Sequence, residues 1–156
     1  MVLLVINVLA GDYMKISTRG RYALRMMIDL AEHNDGSFIS LKDIAARQNI
    51  SKKYLEQIVL IFNKSDALKA NRGLSGGYRL TRTPDKYTVG EILRLTEGSL
   101  SPVDCLDNTP AGCEMAADCA TLPVWKGLNK VINDYLDGIT LQDIIDGQNS
   151  SYDYII

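Results

Sequence analysis

Apolar residues in the first half of the chain recur at the spacing of one helix face. The i, i+3, i+4, i+7 pattern occurs twice and predicts two amphipathic helices. Its positions are Leu24, Met27, Ile28 and Ala31, and then Leu55, Ile58, Val59 and Phe62. Capping residues set the limits of these helices. The first is expected to begin at Ser17 or Thr18 and to end near Glu32, and the second to run from Ser51 to about Lys64.

A short helix is predicted between these two, from Leu41 to Arg47, with Ser40 as its N-cap and Asp43 placed for a capping box. The break at residues 49–50 is tight, and two helices joined in this way are typical of a helix-turn-helix. Short strand-forming segments then flank the turn-rich residues 71–77. A hairpin directly after a helix-turn-helix is a wing.

The second half predicts three more helices. Thr88 caps a helix from Val89 to Glu97 that ends at Gly98, and a long amphipathic helix runs from Leu122 to about Asp137. A last short helix, 141–145, follows a cap at Thr140. The long helix carries apolar residues at 3-4-3-4 spacing, an a/d seam that predicts a dimer interface or packing against the winged domain, or both. The seam residues are Trp125, Leu128, Ile132, Tyr135 and Ile139.

The expected fold is therefore mainly α with a small β-hairpin wing. Its parts are an extension (1–13), a winged helix-turn-helix domain (14–98), a cysteine-containing loop (99–121), a dimerisation helix with a short C-terminal helix (122–146) and a tail (147–156). The apolar start has no basic residue before it and no small-residue cleavage pattern, so it is a poor signal peptide. No apolar run is long enough for a membrane span, and we expect a cytoplasmic protein without a membrane partner.

Charge is divided sharply along the chain. Residues 14–86 contain fourteen Lys/Arg and seven Asp/Glu, a balance of +7, whereas residues 87–156 contain three and eleven, a balance of −8. A basic half joined to an acidic half suggests a polyanion-binding module attached to a part that must not bind polyanions. The basic half is the one with the helix-turn-helix, so double-stranded DNA is the expected partner.

Side chains suited to DNA lie on the second helix of the predicted motif and around the wing. Lysines there suit phosphate or guanine, Gln57 suits adenine, and Glu56 suits the amino group of cytosine. The glycines of the wing are expected to supply positive φ at a tight tip rather than a nucleotide-binding loop, whose G-x-x-x-x-G-K-[ST] pattern is absent. The predicted DNA-binding residues are Arg19, Arg21, Ser51, Lys52, Lys53, Tyr54, Glu56, Gln57, Arg72, Gly73, Ser75, Gly76, Gly77 and Tyr78.

The only three cysteines, Cys105, Cys113 and Cys119, lie within fifteen residues of each other. An odd number excludes full internal pairing, and the Cys-x7-Cys-x5-Cys spacing fits neither a usual zinc site nor a thioredoxin-type motif. Thiolates wrapping an iron–sulfur cluster are the first interpretation, and a redox thiol group is the second. A fourth ligand is not obvious. The nearby carboxylates are candidates, and the only histidine, His33, lies at a predicted helix end.

Three motifs resemble the IscR-like, Rrf-type winged-helix transcription regulators. They are Met14-Lys-Ile-Ser-Thr-Arg-Gly-Arg-Tyr-Ala23, Ile50-Ser-x-x-Tyr54-Leu-Glu-Gln57 and Arg72-Gly-x-x-Gly-Gly-Tyr78. The resemblance covers about residues 14–146. It implies a dimeric DNA-binding repressor or dual regulator, not an enzyme, in which Cys105, Cys113 and Cys119 hold an iron–sulfur cluster that reports iron–sulfur, iron or redox status.

The chain departs from the best-known IscR pattern at two points. The first cysteine spacing is two residues longer, and Leu122 stands where that pattern has a histidine. The fourth ligand and the choice between a [2Fe–2S] cluster, which we prefer, and a [4Fe–4S] cluster stay open. A cluster-free sister branch represses cysteine and sulfur metabolism together with cysteine synthase. The ending Tyr154-Ile155-Ile156 is similar to tails which that enzyme accepts. A redox enzyme or electron carrier is a third alternative, without a catalytic base constellation to support it.

Overall fold

The computed structural model of the chain describes residues 15–107 and 113–149. Helices dominate it, with one two-stranded antiparallel hairpin, as the sequence predicts. The elements are α1 (Thr18–Glu32), α2 (Leu41–Gln48), α3 (Lys52–Phe62), β1 (Leu68–Asn71), β2 (Gly77–Leu80), α4 (Val89–Glu97), α5 (Leu122–Asp137) and α6 (Leu141–Asn149). Single 3₁₀ turns occupy Pro84–Lys86 and Asp104–Leu106.

Local capping sets where the first three helices begin. The hydroxyls of Ser17, Ser40 and Ser51 accept hydrogen bonds from backbone N–H groups in the first turns of α1, α2 and α3, which satisfies donors that have no partner within the helix. Asn49 ends α2 in the left-handed conformation, with φ 51°. The ends of other helices differ from prediction. Helix α3 stops two residues before Lys64, and α6 continues four residues beyond residue 145.

A single buried carboxylate joins α1 to α2. The side chain of Asp29 is 1% exposed. It accepts hydrogen bonds from Arg47 at 3.0 and 2.6 Å and from Gln48 Nε2 at 3.0 Å. The same contact raises the pKa of Arg47. A buried charge is tolerated only when it is paired and hydrogen-bonded, so these contacts hold the last turn of α2 against α1.

The wing depends on close backbone approach as much as on turn conformation. Strand β2 pairs with β1 on one side and bridges Ile39 on the other. A Cβ at Gly77 would lie 2.3 Å from the carbonyl oxygen of Ile39, and one at Gly76 would lie 2.8 Å from that of Asn71. Positive φ, predicted for the wing glycines, occurs only at Gly73, with φ +142°. The prediction is right for Gly73 and wrong for Gly76 and Gly77, where glycine is required by space.

Helix α5 lies across the winged domain with one face inward. Ile132 and Ile139 pack against a cluster formed by Val89, Leu93 and Leu100. The adjacent face carries four exposed apolar side chains at i, i+4, i+7, i+11 spacing: Val124, Leu128, Val131 and Tyr135. The predicted seam is therefore divided in this structure. Two of its residues pack within the chain, and Leu128 and Tyr135 point outward beside Val124 and Val131.

A tyrosine hydroxyl secures the base of the wing. Tyr87 is fully buried; its hydroxyl donates to the carbonyl of Ala67 at 2.7 Å and accepts from the N–H groups of Thr81 and Arg82, each at 3.0 Å. Replacing Tyr87 with Phe leaves these backbone groups unsatisfied, so we expect a loss of about 1–3 kcal/mol in the free energy of unfolding. Urea denaturation at one fixed protein concentration measures the change. Tyr22→Phe is the matched control, because the Tyr22 hydroxyl makes no hydrogen bond within the described residues; an equal loss there would contradict this account.

Candidate nucleic-acid interface and cysteine segment

The outer face of α3 is polar and largely unengaged. Lys52, Lys53, Glu56 and Gln57 are all exposed, while Leu55, Ile58, Val59 and Phe62 are buried in the core. Lys52 lies 3.5 Å from Glu56. Lys53 and Gln57 have no hydrogen bond or ion pair within the described part of the chain. The structure therefore brings these predicted residues together on one accessible helix face.

Tyr54 differs from its neighbours on α3. It is half-buried, packs against the main core and meets Tyr22 edge-to-face, with ring centroids 5.5 Å apart. Arg25 lies over Tyr22 at 5.4 Å and also donates to Gln48 at the end of α2. In this structure, Tyr54 helps to hold α3 against α1.

The predicted arginines of α1 lie at its first turn. Arg19 donates to the carbonyl of Thr96 at 2.8 Å, and Arg21 donates to Thr18 Oγ1 at 3.1 Å. Next to them, the N–H and hydroxyl of Ser17 both donate to Glu97. The start of α1 is thus fixed to the end of α4, with both arginines exposed at this junction.

The arginines around the wing fall into two groups. Arg72 and Ser75 are exposed at the tip and make no hydrogen bond or ion pair within residues 15–107 and 113–149. Arg79 and Arg82, in contrast, have partners in the chain. Arg79 donates to the carbonyl of Gly36 and lies 4.7 Å from the centroid of Phe38. Arg82 pairs with Glu91 at 2.5 Å, which raises the pKa of Arg82, so of these three arginines Arg72 is the one without a partner among the described residues.

The sequence analysis did not identify two leucines that the structure leaves exposed on the elements assigned to DNA contact. Leu60 is 61% exposed on the outer face of α3, and Leu74 is fully exposed at the wing tip. A signal for Leu60 was present, because it falls outside the buried i, i+3, i+4, i+7 stripe of that helix. No periodic signal identifies a single leucine in a turn.

All three cysteines are free thiols, partly exposed, in the segment that precedes α5. Carboxylates at Asp104, Asp107, Glu114 and Asp118 are exposed among them. Among the described residues, no three His, Cys, Asp or Glu side chains form a group that could hold a metal ion. The predicted thiols therefore share one segment, but the structure does not gather them around one point. His33 lies at the end of α1, where Nδ1 is 2.8 Å from the carbonyl oxygen of Asp29.

Cys119 has a distinct environment at the start of α5. Its Sγ lies 3.5 Å from Thr121 Oγ1, which also accepts a hydrogen bond from Trp125 Nε1 at 3.2 Å. Hydrogen bonds from the side chain and backbone of Thr121 lower the pKa of the Cys119 thiol. The thiolate is the nucleophile and the metal ligand, so this environment favours the form of Cys119 that serves in either role.

Comparisons with known proteins agree on the family. Residues 16–147 match the family model described as Rrf2, iron-dependent transcriptional regulator. The chain is 40% identical over 147 residues to the HTH-type transcriptional regulator CymR of Bacillus subtilis, covering 92% of this chain and 100% of that protein. It is 36% identical over 132 residues to IscR of Aliivibrio salmonicida, covering 85% and 77% of the two chains.

Solved structures give the same result. The structure of B. subtilis CymR, described as the global cysteine regulator of that organism, matches with a TM-score of 0.68 and 38% identity, covering 83% of this chain and 95% of that one. IscR from T. potens matches with a TM-score of 0.67 and 34% identity, covering 90% and 95%. Within the described residues, no helix is long and apolar enough to cross a membrane.

The lowered pKa of Cys119 makes a direct prediction about reactivity. Alkylation of Cys119 by iodoacetamide, followed across pH by mass spectrometry of the cluster-free protein, should show a midpoint below that of an unperturbed thiol, whose pKa is about 8.5. In Thr121→Val the midpoint should rise, because the hydroxyl that stabilises the thiolate is gone. Thr121→Ser keeps a hydroxyl and should preserve the low midpoint. Equal midpoints in the valine and serine variants would contradict the assigned cause.

Proposed function

The chain belongs to the Rrf2 family of transcriptional regulators, and from that premise we propose that it is a dimeric, sequence-specific DNA-binding regulator that responds to an iron–sulfur cluster at Cys105, Cys113 and Cys119. The proposed cluster is supported by the position of the cysteines. All three are free and partly exposed, and all lie in the segment before α5. Loss or gain of the cluster changes operator affinity.

DNA contact is assigned to the outer face of α3 and the wing tip. Helix-turn-helix proteins place the second helix of the motif in the major groove. Lys53 and Gln57 are unengaged on that face, and Arg72 is unpaired at the tip. Because Lys53 and Arg72 lie on separate elements, the domain can contact phosphates on both sides of a groove. Arg19 and Arg21 extend the basic surface at the start of α1.

Dimerisation is assigned to the exposed face of α5. Four apolar side chains at heptad-like spacing form one continuous stripe there, from Val124 to Tyr135. Such a stripe on a helix is the geometry of a coiled-coil contact. A two-fold dimer would present two recognition helices to the two halves of a palindromic operator.

The donor set fits an iron–sulfur cluster in its chemistry. Thiolates are the usual ligands of such clusters, and Thr121 lowers the pKa of one of the three thiols. The cluster would supply a group whose oxidation or loss changes the charge and the order of the segment. Cys119, beside the N-cap of α5, is the thiol through which an ordered segment would fix the first turn of that helix.

Helix α5 is in turn tied to the DNA-binding domain. Arg94 of α4 donates to the Asp137 carboxylate at 2.9 and 2.6 Å and to Asn133 Oδ1 at 2.9 Å. Ile132 and Ile139 pack beside this contact. A change in the position of α5 therefore moves α4, and with it the winged domain, which shifts an existing equilibrium between DNA-binding geometries.

A second candidate is a cluster-free regulator of cysteine metabolism that acts with a partner protein. The observation in its favour is the 40% identity to CymR over the whole length of that protein, whose structure is described as that of a global cysteine regulator. Leu122 in place of a histidine also leaves the cysteine segment without an obvious fourth ligand. The C-terminal residues 154–156, suggested as a contact for cysteine synthase, lie outside the described residues.

Phosphate contacts by Lys53 and Arg72 predict a salt signature. The logarithm of the binding constant decreases with the logarithm of the salt concentration. The magnitude of this negative slope should decrease by about 0.9 for each phosphate contact removed, hence by about twice that in a dimer. Lys53→Ala and Arg72→Ala should each show this drop in fluorescence anisotropy titrations with operator DNA. Lys126→Ala, an exposed cation of α5, is the control and should leave the slope unchanged. A slope unaffected by all three substitutions would place the DNA elsewhere.

The cluster is tested by anaerobic purification with absorption and Mössbauer spectroscopy and iron and sulfide analysis. The wild-type protein should carry the cluster, and a variant with alanine at all three cysteines should lack it. Operator affinity of the wild type should change by about tenfold on cluster loss, within the usual range of coupling between two sites. His33→Asn is the control and should retain the spectrum.

The two candidates give opposite results in this experiment. A colourless, iron-free wild type that binds operator as tightly as the triple alanine variant would contradict the cluster and support the partner-dependent regulator. If the wild type holds a cluster and the triple alanine variant binds operator with the same affinity, the cluster does not control DNA binding.

A further inference from the structure

Most large apolar side chains of the winged domain are buried or partly buried. In residues 15–98 the exposed ones are Leu60 on α3 and Leu74 at the wing tip, and the others of the described chain lie in the cysteine segment or on α5. Both leucines therefore occupy the two elements that a winged helix presents to DNA. Leu60 is 61% exposed and is not a member of either buried apolar cluster, so most of its apolar surface lies outside the core.

Leu60 also completes a spacing that recognition helices use. Side chains that read bases from one helix lie at i, i+3, i+4 and i+7. On α3 these positions are Lys53, Glu56, Gln57 and Leu60, and all four are exposed. Seven residues of helix span about 10 Å, which is close to three base-pair steps of about 3.4 Å. With the axis of α3 along a major groove, Leu60 would face a base about three steps from the one that faces Lys53.

The chemistry of the major groove offers one apolar group. Thymine presents its C5-methyl there, and apolar side chains contact it, whereas the other base edges present hydrogen-bonding groups. We propose that Leu60 is a specificity-determining residue that contacts a thymine methyl in each operator half-site. This inference rests on the proposed DNA-binding function and extends it to one base identity.

The test removes single methyl groups from the DNA. Operator duplexes are first selected from random double-stranded DNA by the full-length wild-type protein. Each thymine in a half-site is then replaced with deoxyuridine, which lacks only the methyl. For the wild type, one such replacement should weaken binding about fourfold, the effect of exposing one buried methyl-sized group. In Leu60→Ala the same replacement should change affinity less than about 1.5-fold, because the contact surface is already gone.

Met115→Ala is the control, since it removes an exposed apolar side chain from the cysteine segment, outside both DNA-binding elements, and should keep the full sensitivity to that methyl. The proposed contact is wrong if no thymine-to-deoxyuridine replacement weakens binding of the wild type. It is also wrong if the replacement weakens binding of the wild type and of Leu60→Ala equally. A Leu60→Ala variant that changes sedimentation behaviour and leaves methyl sensitivity intact likewise overturns the contact, because Leu60 would then contact protein. If no DNA is enriched in the selection, the DNA-binding function itself fails and this contact with it.

Discussion

The buried carboxylate of Asp29 is the constraint on which the DNA-binding geometry depends. An ionised carboxylate in an apolar interior is costly unless its oxygens are hydrogen-bonded, and Arg47 and Gln48 are the side chains that do so. Both belong to the last turn of α2, directly before the left-handed turn at Asn49. Satisfying one carboxylate therefore holds the end of α2 against α1, directly before the turn that leads into α3. Lys53, Gln57 and Leu60 point outward because the other face of α3 is buried in the core.

Polar ties of the same kind continue from α1 to α5. Ser17 and Arg19 bind the end of α4 at Glu97 and Thr96, and Arg94 in the middle of α4 binds Asp137 on α5. These contacts are partly exposed, so each is weaker than the Asp29 cluster. The contacts within the helix-turn-helix are thus stronger than those that couple α4 to α5. In the proposed dimer this ordering would keep the shape of the recognition surface while its position relative to the second subunit changes.

Local signals in the sequence predicted the helices and strands well. The features that sequence analysis missed depend on contacts between residues far apart in the chain. The caps at Ser17, Ser40 and Ser51 act within one turn, so a short stretch of sequence specifies them. The inward position of Ile132 and Leu136 depends on which side of α5 meets α4, and the spacing of apolar residues does not specify that side. Arg79 and Arg82 lie in the basic stretch around the wing, but their partners, Gly36 and Glu91, are brought close only by the fold. Gly76 and Gly77 are needed because other backbone passes close by, which no turn pattern reveals.

The division of charge limits how a signal at the cysteines could reach DNA. The thiols lie among the exposed carboxylates of Asp104, Asp107, Glu114 and Asp118, and such a surface repels phosphates. Electrostatic repulsion therefore opposes a DNA contact by this segment, and a cluster held by thiolates would add negative charge to it. Direct attraction between the cluster and DNA is accordingly an unfavourable regulatory force. An effect on operator binding has to pass through the protein, from Cys119 and the first turn of α5 to Arg94 and α4. Because the acidic half repels DNA, the proposed regulator would transmit its signal through these contacts between helices.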